Sequence, residues 1–200
     1  METLNIRYYE PHDEQNWLRC RVLSFLNTAY YDNVLREKEQ YDSPAIELVA
    51  EKNGTIVGIL DVELETNKGS ICSDKEVVSG MIWHIAVHPD YRRQGIAASL
   101  LEKAEEIATK YGIQRFEAWT RDDEWVKKWY EAQGFRQKGE SYLHVFMDGG
   151  QEIKKALDVK IPKLYPILSF AHYVGENKSE VKHQFQRVHE CMMLEKLLWT

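Results

Sequence analysis

The sequence predicts an α/β sandwich, a mixed sheet flanked by helices, and three observations carry that expectation. Asn53-Gly54 joins two strand-like runs, 46–52 and 55–65, and such a pair closes a two-residue hairpin because type I′ turns need positive φ. An apolar run at Ser79–Val87 stops at His88-Pro89-Asp90 and is followed by a helix pattern from Ala97. A further strand pattern at 114–120 then follows that helix, so strands and helices alternate.

The other elements follow in order. Residues 4–8 alternate as a short strand. Over 13–31, Trp17, Leu18, Val22, Phe25, Leu26 and Ala29 fall at helical spacing. The polar stretch 68–76 reads as a loop. From 97 to 111 one stripe of Ala97, Leu100, Leu101, Ala104, Ile107, Ala108 and Tyr111 marks a helix that Gly112 stops. Asp122 or Asp123 caps a second helix bearing Trp125, Val126, Trp129 and Ala132, and Gly134 ends it. Residues 135–136 and 141–147 read as closing strands. The order is β-α-β-β-β-α-β-α-β-β.

Residues 1–147 are thus expected to form one domain, and Asp148-Gly149-Gly150 breaks the pattern. The remainder, 148–200, reads as a C-terminal extension: an irregular segment holding Pro162 and Pro166, then a helix over 179–198 with Val181, Phe185, Val188 and Met192 on one face. Such a helix ordinarily docks on its own domain; a homodimer contact or a lid is its alternative use.

Composition narrows the functional classes. With 44% hydrophobic and 29% charged residues, the 200-residue chain is of ordinary globular type. A net charge of -6 argues against nucleic-acid binding, which needs a basic face. It is compatible with a cationic acceptor without demonstrating one. No apolar run is long enough to span a membrane, and Met1-Glu2-Thr3-Leu4-Asn5 opens no leader-like pattern, so a cytoplasmic protein is expected. Cys20, Cys72 and Cys191 are far apart and match no metal or redox spacing. His183, His189 and Cys191 share no helix face, so no metal site is expected.

The corner at residues 87–98 carries the chemistry. The first amides of a helix lack internal partners and lie at the positive end of its dipole, which suits phosphate. Gly95 lets a ligand approach the backbone, Ala97 and Ala98 add no bulk, and Arg92 and Arg93 bring charge. On spacing alone the same residues also fit a plain strand–turn–helix corner.

Trp83-His84-Ile85-Ala86-Val87-His88-Pro89-Asp90-Tyr91-Arg92-Arg93-Gln94-Gly95-Ile96-Ala97 closely resembles motif A of the GCN5-related N-acetyltransferase (GNAT) superfamily. Trp129-Tyr130-Glu131-Ala132-Gln133-Gly134-Phe135 resembles its motif B, in the family's order and spacing. The resemblance covers roughly residues 4–147. It implies a GNAT-like sheet and acetyl-CoA as co-substrate, with no metal. Ile85, Ala86 and Val87 match strand positions that pair with the donor's pantetheine arm. Arg92, Arg93, Gln94, Gly95, Ile96, Ala97 and Ala98 match the pyrophosphate loop.

Tyr130 matches the tyrosine that protonates the departing thiolate, although its neighbours on the helix also fit a core role. A phenol of pKa about 10 can protonate a thiolate of pKa about 8.5 only at close range. The base is a gap. A lysine-type amine costs about 4.6 kcal/mol to deprotonate at pH 7, an α-amino group about 1–1.4 kcal/mol. The strand positions where relatives carry a base hold Met81 and Trp83, which do not titrate. His84 is expected on the opposite face, as a structural histidine. Asp123 stands where many relatives have a donor-contacting asparagine and is expected to cap the helix. Asp61, Glu63 and Glu65 share a strand face, read as a solvated edge with cationic-acceptor binding or proton relay as the alternative.

The resulting expectation is an N-acetyltransferase moving acetyl to a primary amine by direct attack, a small-molecule amine being placed ahead of a protein amine. The alternative is a non-catalytic acyl-CoA-binding sensor or interaction module.

Overall fold

A computed structural model describes residues 4–198. Strands β1 (Asn5–Tyr8), β2 (Ala45–Lys52), β3 (Thr55–Leu64), β4 (Ser79–Val87), β5 (Arg115–Thr120), β6 (Arg136–Gln137), β7 (Tyr142–Asp148), β8 (Leu168–Tyr173) and β9 (Arg187–Leu197) form one 9-stranded sheet. Its order is β1-β2-β3-β4-β5-β9-β7-β8, with β6 added on β9. Helices α1 (Glu14–Phe25), α2 (Ile96–Lys110), α3 (Glu124–Ala132), α4 (Gly150–Ala156) and α5 (Lys178–Gln184) flank it. Only β4 and β5 pair in parallel; the other pairs are antiparallel, so the expected mixed sheet is present. No helix among the described residues is long and apolar enough to cross a membrane.

The β2–β3 hairpin forms as read, with Lys52 paired to Thr55 and positive φ at both Asn53 and Gly54. The first helix is shorter than its pattern. Thr28 donates both its amide and its hydroxyl to the Phe25 carbonyl, and the chain then turns through residues 26–32.

The largest departure lies at the C-terminal side. The expected helix over 179–198 is helical only to Gln184; Arg187–Leu197 is a strand lodged between β5 and β7. Val181 and Phe185 belong to α5, whereas Val188 and Met192 belong to β9, so their helical spacing spans two elements. In β9 both faces are largely covered, which erases the polar/apolar alternation that identifies a half-exposed strand. Its Met, Leu, Glu and Lys residues favour helix locally, and the sheet overrides that preference. Of residues 148–200, Trp199 and Thr200 lie outside the described residues, and 149–186 form an excursion (α4, β8, α5) between two neighbouring strands.

The sheet divides the core. On one face α2 and α3 pack Leu100, Leu101, Ala104 and Tyr130 against Leu60, Val62, Ile82, Phe116 and Leu194. There α4 and α5 bring Ile153 and Phe185 onto Leu143 and Val145. On the other face α1 sets Trp17 and Cys20 on Val49, Ile59 and Ala86.

Candidate active site

Strands β4 and β5 are paired only from Ser79↔Arg115 to Ile82↔Ala118. Beyond that point β4 continues to Val87 against β3, and β5 continues to Thr120 against β9. The two strands part, and among the described residues no strand lies opposite the edge of β4 that carries Ile85, Ala86 and Val87. Unpaired strand edges in a fold's centre seek hydrogen-bonding partners, which makes this a slot for an extended, amide-bearing chain.

The strand also has a bulge: Asp61 pairs with His84 and Val62 with Ile82, leaving Trp83 as the extra residue. The simple alternation expected for His84 against Trp83 therefore fails locally. Trp83 reaches Glu63 on the α1 side, where His84 also sits edge-on to Trp17 at 5.5 Å. His84 pairs its Nε2 with Glu39, consistent with the structural role expected of it.

The slot leads from β4 into the corner. The first helix-type bond of α2 is Ser99 N–H to Gly95 O, and the amides of residues 93–98 have no hydrogen-bond acceptor among the described residues. Arg93 and Gly95 both have positive φ, 63° and 80°, so successive amides turn toward one concavity. A Cβ on Gly95 would meet nothing within 4 Å, so that side is open. The arrangement suits a phosphate-bearing group.

Arg92 differs from its expected role. Its amide donates to Pro89 O, and its guanidinium donates to Val87 O and Ser24 O while lying over Trp125 at 5.0 Å. It thus ties the end of α1 to the corner, and Arg93, exposed, is the arginine beside the free amides.

Tyr130 points inward from α3 and is only 5% exposed. Its ring contacts Trp129 and Phe135 edge-on, each at 5.0 Å, and no hydrogen bond to its hydroxyl is found among the described residues. Burial pushes its phenol well above the usual tyrosine range, and the Tyr30 phenol adds to the effect. It is at once a core residue and a phenol that stays protonated.

Tyr30 belongs to a wall that sequence reasoning missed. Its hydroxyl accepts the Arg121 amide at 3.0 Å, and Arg121 lies over its ring at 4.2 Å. Arg121 Nε donates to His144 Nδ1 at 2.9 Å, and burial, followed by the Arg121 charge, lowers His144 to about 4. His144 is therefore neutral near pH 7. Opposite Tyr142, β9 contributes Cys191, whose thiol burial pushes up. Apart from Tyr142 and His144 on β7, these residues stand far from one another in sequence, and Cys191 and His189 fall where the spacing predicts a helix.

Asp123 sits at the N-cap position just before α3, but its side chain makes no cap. Its carboxylate accepts the Ala29 amide at 2.9 Å, fixing the turn that carries Tyr30. Asp61, Glu63 and Glu65 are 0%, 7% and 4% exposed, which overturns the solvated-edge reading. Residues 38–43 and 70–73 fold over them. Asp61 accepts from Tyr41 and pairs with Lys38 at 2.9 Å, Glu63 accepts the Ser43 amide, and Glu65 accepts the amides of Ile71, Cys72 and Ser79.

Residues 10–135 match the model of the Acetyltransferase (GNAT) family, and the chain belongs to that family. An acetyltransferase of Yersinia pestis (strain Pestoides F) is 29% identical over 124 residues, 60% of this chain and 78% of the relative. One from Pectobacterium atrosepticum is 31% identical over 107 residues, 54% and 66% of the two chains. Among solved structures, the ribosomal-protein-S18-alanine N-acetyltransferase from Escherichia coli matches with a TM-score of 0.59 at 13% identity, over 99% of this chain and 96% of that one. PaiA N-acetyltransferase from Thermoplasma acidophilum, solved in complex with coenzyme A, matches with a TM-score of 0.54 at 16% identity, over 69% and 92%. At these identities the two structures speak for the fold, and the family match makes the chain an acetyltransferase of GNAT type.

Proposed function

We propose that this chain is an acetyl-CoA-dependent N-acetyltransferase that passes acetyl directly to a primary amine. The observation that carries the reading is the parting of β4 and β5 after Ile82 and Ala118, leading into the unpaired amides of residues 93–98. An extended thiol arm with peptide-like amides fits the first, and a pyrophosphate fits the second. When bound, the donor supplies an activated acetyl thioester. The free edge of β4 at Ile85, Ala86 and Val87 aligns the arm. The amides of Arg93, Gln94, Gly95, Ile96, Ala97 and Ala98 hold the phosphates, with Arg93 adding charge. Tyr130 holds a proton for the departing sulfur. The acceptor enters from the α1 face, past Tyr30 and Tyr142, and a small-molecule amine is preferred to a protein amine.

The reading is tested by thiol release from acetyl-CoA with a panel of amines. Amine-dependent release is expected. Tight coenzyme A binding with no release for any amine would instead favour the acyl-CoA-binding module, which the non-titratable Met81 and Trp83 keep in view. Gly95→Val gives a second check. A β-branched residue at φ 80° is strained by about 1–2 kcal/mol and projects into the open side of the amide cluster. Coenzyme A affinity, measured calorimetrically, is expected to fall at least about tenfold.

A further inference from the structure

Past the last β4–β5 pair, Ile82↔Ala118, the next residue on each strand is a tryptophan: Trp83 on one side and Trp119 on the other. Each indole N–H donates to a buried carboxylate, Trp83 to Glu63 at 2.8 Å and Trp119 to Glu117 at 2.9 Å. Glu63 pairs across from Met81 on β3, and Glu117 precedes Trp119 by two on β5, so both indoles are drawn to the α1 side of the sheet. That is the side opposite α2 and Tyr130. Trp83 remains 49% exposed, and the Trp119 ring lies 5.4 Å from that of Tyr142.

We propose that Trp83 and Trp119, with Tyr142, are the walls of the acceptor entrance and select a protonated primary amine on a slender, unbranched stem. The proposal rests on the N-acetyltransferase reading and names the acceptor class for it. Three physical points carry it. An indole whose N–H is bound to a carboxylate is polarised toward its ring, which strengthens the attraction of its face for a cation. The tethers fix the rings, so little side-chain freedom is lost when a ligand arrives. The charge behind the rings is negative: Glu63 and Glu65 accept only from N–H groups of Ser43, Trp83, Ile71, Cys72 and Ser79, and have no cationic partner among the described residues. Glu117 and Glu195 are met by Arg115 and, at Glu195, by Lys138 as well, so the uncompensated negative charge comes from Glu63 and Glu65. An acceptor with its own carboxylate beside the amine would be repelled here.

The test has one arm that needs no turnover. In the presence of coenzyme A, the indole N–H resonances of Trp83 and Trp119, assigned with Trp83→Phe and Trp119→Phe, are followed by NMR during titration with propylammonium chloride and with propanol. Both signals are expected to shift with the ammonium and to stay unchanged with the alcohol of like shape. Equal response to both, or none, overturns the proposal. The second arm measures acetyl transfer to propylamine by Trp83→Leu and Trp119→Leu, with folding checked by thermal melting. KM for the amine is expected to rise about twofold to thirtyfold for each, with coenzyme A affinity unchanged. An unmoved KM overturns the proposal and leaves the N-acetyltransferase reading intact. A wild-type protein that shifts both resonances but acetylates no amine keeps the ammonium site and removes the transfer reading.

Discussion

Tyr130→Phe is expected to lower turnover by about a hundredfold or more, with coenzyme A affinity and the melting temperature little changed. On a residue only 5% exposed, the hydroxyl has no hydrogen-bond partner among the described residues, so its loss breaks no such contact. The ring contacts with Trp129 and Phe135 survive in phenylalanine. A purely structural Tyr130 would therefore leave both stability and turnover in place. An acid acting on the departing sulfur would lose rate alone, which steady-state kinetics resolve as a fall in kcat. Burial raises the phenol's pKa, so the protonated form persists through neutral and mildly alkaline solution. No alkaline loss of rate from this group is expected below the usual tyrosine range near 10.

Arg115→Met is expected to destabilise the fold by about 3–5 kcal/mol. The Arg115 side chain is fully buried and donates to Glu195 through Nε and to Glu117 through Nη2, both at 2.7 Å. Removing it leaves Glu117, held beneath Ser73, without a cationic partner and leaves Glu195 only Lys138, which costs more than the arginine's own packing contributes. For a chain of 200 residues this corresponds to a drop in melting temperature on the order of 10 °C. Adding Glu117→Met and Glu195→Met should restore part of the loss, because the charges then leave together. Burial alone would push Glu117 up, but hydrogen bonds from Ser73, Trp119 and Arg115 outweigh it and hold the carboxyl below its usual range. Its stabilisation is present above the unfolded value near 4.3 and is lost as pH falls through the lowered folded value. Without Arg115 that loss begins at higher pH, so the acid-denaturation curve of the variant should shift upward.

Much of the donor side could be read in the sequence because it is continuous there. Ser79–Val87, Gly95 and the stripe from Leu100 to Ala108 are local patterns with local causes, and the structure keeps them nearly to the residue. The Asn53-Gly54 turn is legible for the same reason. The acceptor side is assembled from four distant segments, and no period or spacing links Tyr30, Trp83, Arg121 and Cys191. Asp61, Glu63 and Glu65 look solvated from their charge alone; only the loops at 38–43 and 70–73, which have no regular pattern, bury them. Alternation sets His84 on the face opposite Trp83, and a one-residue bulge is invisible to alternation. Strand β9 failed for the opposite reason. Its pattern was strong but described a helix, and its true neighbours, β5 and β7, come from earlier parts of the chain.

The position of β9 also sets a timetable. It follows every other strand in sequence, yet fills the gap between β5 and β7. Until residues 187–197 have left the ribosome, both of those strands expose an unsatisfied edge, and the sheet exists as two separate pieces. The chain must hold them close while the 149–186 excursion is made, so the step that unites the sheet comes late and joins distant partners. A chain stalled before β9 would offer two sticky strand edges to other molecules, which makes the interval before that last insertion the time of greatest risk of aggregation during synthesis.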